Sequence, residues 1–562
     1  WNERRPFKEL DKRGIYSDKI YINEGGKFMD VSEEVGLEND RYGFGLGVSI
    51  GDLNDDMFPD IYIANDYFGS DYLYFNNQDG TFTEKIKKST KHISLFSMGT
   101  DIADYNNDGL LDIVTVDMVA EDNYRQKTNM AGMNPKIFYE AVDAGLHYQY
   151  MYNTLQKNNG NGTFSDVAQI AGMPNTDWSW APLFADFDSD GWKDLFITNG
   201  FARDLRDKDA NIKLLKDGKI VKKNGNTIYK ISNLDHYLSF PEKKIPNYAY
   251  RNKGDMTFEK VSYDWGLSQL GFSNGAVYSD LDNDGDQDII VNNLNDIAWI
   301  YENTSDQQDK FNFLQINVKG PQSNIFSLGA RVTVKTKDNN TQTQEITLTR
   351  GYQSSVDPIL TFGLGSNESV EELIVQWPYG KKIILNNIKS NQRIVCDIKD
   401  ADDFILNTQS EFIFNDVTSD LQVNYKHIEN DFNDFEKEVL LPHKNSQHGP
   451  GIAVGDINND GLDDFYVGGA KNQQGSFFIQ KNNGKFYEKK LNLFKNDRYC
   501  EDMGALLFDS DNDGDLDLYV VSGGNEFEKD SPLLQDRLYF NDGNGNFTKS
   551  TKSLPIMLFS GK

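Results

Sequence analysis

GIAVGDINNDGLDDFYVGG, residues 451–469, decides how the rest of the chain is read. An apolar, Gly-rich run enters nine residues carrying Asp456, Asn458 and Asp460 at positions one, three and five, Gly461 at six and Asp464 at nine. A run of aromatic and β-branched residues leaves them. The same nonapeptide recurs from Asp52 (DLNDDMFPD), Asp104 (DYNNDGLLD), Asp186 (DFDSDGWKD), Asp280 (DLDNDGDQD) and Asp509 (DSDNDGDLD). Oxygen donors at alternate positions of a tight loop can all turn toward one hard cation, and Gly at six permits the bend that returns position nine to it. Six copies of that spacing predict six calcium loops. Magnesium suits them less, because it keeps several waters in a smaller octahedral shell.

The ligand sets expected from the spacing are Asp52, Asn54, Asp56 and Asp60; Asp104, Asn106, Asp108 and Asp112; Asp186, Asp188, Asp190 and Asp194; Asp280, Asp282, Asp284 and Asp288; Asp456, Asn458, Asp460 and Asp464; and Asp509, Asp511, Asp513 and Asp517. An EF-hand begins in the same way but closes with Glu at position twelve between two helices. Here the closing acid stands at nine, and IYIAN, IVTVD, LFITN, IIVNN, FYVGG and LYVVS follow, all of which read as strands. Each loop is therefore expected to join two neighbouring strands. Met57 stands where the other five loops have Gly, so a distorted or weaker site is expected there.

Around each loop a larger unit repeats. A further aromatic strand leads to a turn with Asn, Gly and Phe, as in LYFNNQDGTF from Leu73, LQKNNGNGTF from Leu155, YRNKGDMTF from Tyr250, FIQKNNGKF from Phe478 and LYFNDGNGNF from Leu538. Four short antiparallel strands per repeat, with a shortest period of about 50 residues, make one propeller blade. The reading is all-β: a first propeller over residues 1–310, with cap insertions at about 118–152, helical around KIFYEAVDAGLHYQYMY, and at about 201–246. Residues 311–399 lose the loop motif and alternate in polarity, as in FLQINVKG and ARVTVKTKD, which predicts a small β-sandwich. Residues 400–411 read as a linker, and residues 412–562 as blades of a second propeller. The stretch KIYINEGGKFMDVSEEVGL, residues 19–37, reads as the closing half of a blade whose front half is missing.

These features resemble known families. The loop-bearing blades are similar to the FG-GAP or VCBS repeats of integrin alpha-subunit propellers. SLGARVTVKT from Ser327, RGYQSSVDPILTFGLG from Arg350 and VEELIVQWPYGKK with Trp377 resemble the ASPIC/UnbV domain. Together they are similar to the cartilage acidic protein family and to large surface proteins of the Bacteroidota. That resemblance implies a surface protein without a defined chemistry, anchored by lipid at the outer membrane of a Gram-negative bacterium.

Composition agrees. The formal charge is −30, and the acids are placed in the loops rather than scattered; such a surface, with no long basic stripe, is a poor fit to nucleic acid. Cys396 and Cys500 fall in different expected domains, so no disulfide framework is implied. No 18-residue apolar stretch occurs. HExxH, Gly-x-Ser-x-Gly, Walker and dinucleotide fingerprints are absent, and carboxylates that ligate a cation are poor general bases. Trp178 and Trp180 could stack on a sugar, although packing between blades is the stronger expectation. His443 and His448 flank KNSQ and could meet the acidic IENDFNDF segment, although a local hydrogen-bonded turn is the stronger expectation. The reading is a non-enzymatic, calcium-stabilised surface binding or scaffold protein. Its expected partner is another surface or outer-membrane protein, or a polysaccharide. The alternative is a calcium-dependent polysaccharide lyase with its site on a propeller face.

Overall fold

In a blade stacked between two neighbours both sheet faces are covered, so a central strand reads as a continuous run rather than an alternation. DLFITN, Asp194–Asn199, is such a strand, buried at every residue. In the computed structural model, which describes residues 18–560 except 38–42, 68, 130–134, 224–225, 309–310, 339, 405–413, 415 and 442–443, the chain is mostly β and divides into two units, 1–409 and 410–562. Most of the expected linker and His443 therefore lie outside the described residues.

Among the described residues unit one carries three four-stranded antiparallel blades and one of three strands. The first is built from Gly45–Gly51, Asp60–Asn65, Tyr72–Asn76 and Phe82–Glu84. The second uses Thr100–Ala103, Asp112–Thr115, Thr154–Asn158 and Phe164–Asp166, and the third Ser179–Ala185, Asp194–Asn199, Tyr248–Asn252 and Phe258–Lys260. Ser273–Ser279, Asp288–Asn293 and Trp299–Tyr301 form the fourth. Each nonapeptide spans the turn between the first two strands of its blade, as its spacing requires. Register shifts near the start of the first strand recur in three of these blades, at Gly45/Gly47, Ser179/Pro182 and Ser273/Ala276. An extra residue there bends and twists the strand nearest the propeller axis. Bulky side chains fill the space between blades, with Tyr105, Leu155, Phe184, Leu195 and Tyr250 sharing one buried cluster.

The first insertion is helical over Asn123–Asn129 and Pro135–Asp143. The expected helix ends earlier than its apolar spacing suggests: Gly145 takes φ +95°, and Gln149–Tyr150 turns instead into a strand parallel to Ile93–Ser94. The second insertion adds the helices Lys208–Lys216 and Asn233–Leu238 with a hairpin between them. Arg125, buried on the first insertion, forks onto Asp177 (2.5 Å) and Asp204 (2.9 Å), tying both insertions to the third blade.

Residues from Phe313 onward form a two-sheet sandwich. A sheet of Leu360–Gly363, Phe313–Lys319 and Gln392–Asp397 faces one of Thr341–Glu345, Arg331–Thr336, Ser369–Trp377, Lys381–Lys389 and Asp402–Asp403. Its core is aliphatic around Phe362 and the fully buried Trp377, whose indole N–H donates to Ser327 Oγ at 3.2 Å. Cys396 is buried there as a free thiol.

Unit two holds two further four-stranded blades. One consists of Ile452–Gly455, Asp464–Val467, Ser476–Gln480 and Phe486–Lys489, the other of Glu501–Phe508, Asp517–Gly523, Arg537–Phe540 and Thr548–Lys549. Tyr466, Phe477, Phe494 and Tyr539 pack between them.

Candidate metal centres and the seat of the sandwich

All six nonapeptides adopt one backbone design. Position four is left-handed in each, at Asp55, Asn107, Ser189, Asn283, Asn459 and Asn512, and so is position six. Gly takes that second conformation without cost, whereas Met57 takes it at φ +66° with its side chain buried. The first loop thus keeps the same path as its siblings despite the substitution.

The position-one aspartate accepts from two backbone amides. In the second loop Asp104 Oδ1 accepts from Asp108 N at 3.0 Å and Oδ2 from Gly109 N at 2.9 Å. The same pair of bonds recurs at Asp52, Asp186, Asp280, Asp456 and Asp509. The position-nine aspartate straddles its blade. Asp194 Oδ2 accepts from Phe187 N at 3.0 Å, inside the loop, and Oδ1 from Asn252 N at 2.9 Å, at the end of the third strand. Asp60, Asp112, Asp288, Asp464 and Asp517 repeat this bridge. Each of these carboxylates is oriented by backbone N–H donors.

Carboxylate oxygens of Asp186, Asp188 and Asp194 lie within 4.8 Å of one another, as do those of Asp280, Asp282 and Asp284, and those of Asp509, Asp511 and Asp517. In the other three loops position three is an amide, Asn54, Asn106 or Asn458, whose oxygen accepts from the position-five N–H at 3.2, 3.3 and 3.0 Å. Burial pushes Asp60 and Asp186 up to about 8 and Asp104 up to about 7, and neighbouring carboxylates add to the rise. A cation in the loop would reverse that penalty. Asp188 Oδ1 is buried without a partner, which is what a ligand oxygen looks like when nothing in the protein donates to it. The donor sets, all oxygen and flexible, fit calcium.

Three features escaped the spacing rule. Asp286, at position seven, forms a second carboxylate group with Asp284 and Asp306, and one of its oxygens is buried without a partner. The Asn that ends the third strand clamps adjacent blades. Asn158 Nδ2 donates to Leu53 O of the first loop (2.9 Å) and Leu111 O of the second (3.1 Å). Asn252, Asn303 and Asn541 make the equivalent pair or its cross-blade half. The recurring Asn after each aromatic strand was the available signal, and it reads as a turn residue until the neighbouring blade is in place.

The third feature is that the sandwich sits on the loops of the first propeller. Arg331 reaches Asp52 Oδ2 (3.3 Å) and Asp55, while Glu345 Oε2 accepts from Asp52 N at 3.1 Å. Gln315 Nε2 donates to Asp280 Oδ2 at 2.6 Å. At Gly363 the backbone approaches the third loop so closely that a Cβ would meet Asp186 Oδ2 and Ser189 Cα, and Gly365 N donates to Ser189 O at 2.9 Å. The short hairpin Thr349–Arg350/Ser354–Ser355 enters the propeller axis. Thr100 and Gly351 exchange backbone hydrogen bonds, and Arg350 donates to Asp101 Oδ1 (2.8 Å) and Ile102 O (3.0 Å). Tyr352 packs on Trp180 with ring centroids 4.8 Å apart. The cavity beneath the sandwich, about 30 Å³, has Lys193, Glu345 and Arg350 in its lining.

Both tryptophans singled out in the sequence are packed. Trp180 is buried with its N–H on Gly200 O at 2.7 Å, and Trp178 stacks on Phe201 at 4.3 Å. His448 Nε2 lies 3.2 Å from Asn445 Oδ1, within its own turn, and the acidic segment meets that turn through Asp434, which accepts from Asn445 N at 3.0 Å and from Ser446 Oγ.

Residues 320–403 match the family described as ASPIC and UnbV, and residues 52–115, 144–197 and 456–520 match the FG-GAP-like repeat. The chain carries FG-GAP-like repeats and an ASPIC/UnbV domain. It is homologous to cartilage acidic protein 1. The Homo sapiens protein is 24% identical over 372 residues, 66% of this chain and 46% of that protein. The Xenopus tropicalis protein is 26% identical over 357 residues, 63% and 44%. The chain therefore spans just under half the length of these relatives. A solved structure of an Agrocybe aegerita lectin covers 90% of this chain and 80% of its own at 13% identity, but a TM-score of 0.23 is too low to carry an argument. Among the described residues no helix is long and apolar enough to cross a membrane.

Proposed function

We propose that this chain is a calcium-stabilised surface binding or scaffold protein, with one Ca²⁺ in each of up to six loops. The observation that carries the reading is the shared cage of the loops, in which the aspartates at positions one and nine are oriented by amides; in the first three loops both are buried and burial opposes their charge. Positions one, three, five and nine supply the side-chain ligands in every loop. Calcium supplies the positive charge that lets these carboxylates ionise where they are, so each inter-strand turn becomes rigid.

In the first propeller the same ions hold the seat of the ASPIC/UnbV domain, because Arg331, Glu345, Gln315 and Gly363 all rest on loop residues. The partner is another surface or outer-membrane protein, or a polysaccharide, bound on faces that do not use the packed Trp178 and Trp180. Elemental analysis of purified protein should find calcium, and EGTA should lower the melting temperature. Protein free of calcium and indifferent to EGTA would sink the proposal. A pull-down from native membranes with and without chelator tests the partner, which should be lost with the metal.

A further inference from the structure

Apart from the nonapeptides, unit two gathers a second kind of donor set. Residues 423–429, VNYKHIE, follow a turn in which Gln422 is left-handed, and their side chains alternate between half-buried and exposed, so Tyr425, His427 and Glu429 share the inward face while Lys426 and Ile428 are exposed. Gln473 fixes the strand from the side, donating through Nε2 to Lys426 O (2.8 Å) and accepting through Oε1 from Ile428 N (2.8 Å). Tyr425 anchors the segment through its hydroxyl on Gly468 O at 2.8 Å. The face presents His427 and Glu429 to Glu501, the first residue of a blade strand and fully buried.

One ligand atom from each of His427, Glu429 and Glu501 lies within 4.8 Å of the other two, and His427 Nε2 is 2.7 Å from Glu429 Oε1. Glu501 Oε2 accepts from Lys471 N at 2.7 Å, but Oε1 is buried with no partner, and so are Glu429 Oε2 and both oxygens of Glu526. The next residue shows what a satisfied carboxylate looks like in this fold. Asp502 takes the Arg537 guanidinium, the Tyr466 hydroxyl (2.9 Å) and Gly469 N (2.9 Å). Leaving buried carboxylate oxygens unpaired is unfavourable, and more so when they are charged.

We propose that His427, Glu429 and Glu501 form a binding site for a divalent transition-metal ion of the zinc class, separate from the calcium loops. An imidazole nitrogen beside two carboxylates suits zinc and its neighbours rather than calcium, and three protein ligands leave a coordination position for water or a partner's side chain. The test uses the full chain, stripped of metal and returned to millimolar calcium so that the loops are filled. Zinc is then added and the dialysed protein assayed by elemental analysis. The wild type should retain one zinc ion per chain and melt at a higher temperature with zinc than without it. His427→Ala and the near-isosteric Glu501→Gln should both lose the retained zinc while keeping the wild-type circular dichroism in calcium. If either variant fails to fold, cobalt added to the calcium-loaded wild type decides the matter, since ligation by His427 should give visible d–d absorption that zinc displaces. Wild-type protein that retains no zinc, shows no zinc-dependent rise in melting temperature, gives a cobalt spectrum like that of the free aquo ion, or is matched in zinc retention by the folded variants would overturn the proposal.

Discussion

At the residue scale, some buried carboxylates meet a guanidinium brought from far along the chain. Asp52, buried at the start of the first loop, faces Arg331 as well as the expected cation site, so this loop carries a cation of the chain's own. Removing one partner of a buried pair leaves the other charge uncompensated, at about 3–5 kcal/mol. Arg331→Ala should therefore lower stability by about that amount in chelator, with part of the loss recovered in calcium, as read by urea denaturation. Asn158→Ala orphans two buried carbonyls, Leu53 O and Leu111 O, and should cost about 1–3 kcal/mol for each. His147 gives the pH test. Burial and the nearby Lys87 and His92 charges pull it down to about 4 from 6.5, so below pH 6.5 the unfolded chain binds the proton that the folded chain refuses. Stability supplied by this group is complete above pH 6.5 and is lost as pH falls toward 4. His147→Gln should flatten that part of a melting-temperature profile.

At the scale of elements, the hairpin around Arg350–Gly351–Tyr352 does what no blade does alone. It lies against the first strands of all four blades of unit one and offers them backbone, guanidinium and ring in turn. Arg350→Leu would leave Asp101 buried without its counter-charge and should destabilise unit one by about 3–5 kcal/mol. Gly351→Ala, at φ +64° with Ala181 Cβ 3.0 Å from the new methyl, should also destabilise it. In both variants the melting transition of unit one should fall while the calcium content of the loops is kept.

At the scale of the whole molecule, calcium is expected to link local turns to global stability. Both units carry loops of one design, so chelation should lower the thermal transitions of both rather than of one. A calorimetric scan in EGTA in which only one unit responds would show that the loops of the other hold no structural ion. Stability should rise with calcium concentration as for any ligand bound by the folded state alone.

Loops, strands and blades were legible in the sequence because each is local: a nonapeptide carries its own turn geometry, and the flanking runs carry their own β-pattern. Trp377 and the alternating strands around it marked the sandwich for the same reason. Other residues stayed silent because their partners are far along the chain. Arg331 looks like any strand arginine until Asp52 lies against it, and Asn158 like any turn asparagine until the preceding blade offers its carbonyl. His427 and Glu429 announce a shared strand face in sequence, but Glu501 joins them only through the fold. Sequence by itself determined the repeating unit, its acidic turn and the change to a sandwich. Tertiary structure alone decided which charges are buried together, because burial and distance, not spacing along the chain, set the strength of an electrostatic contact.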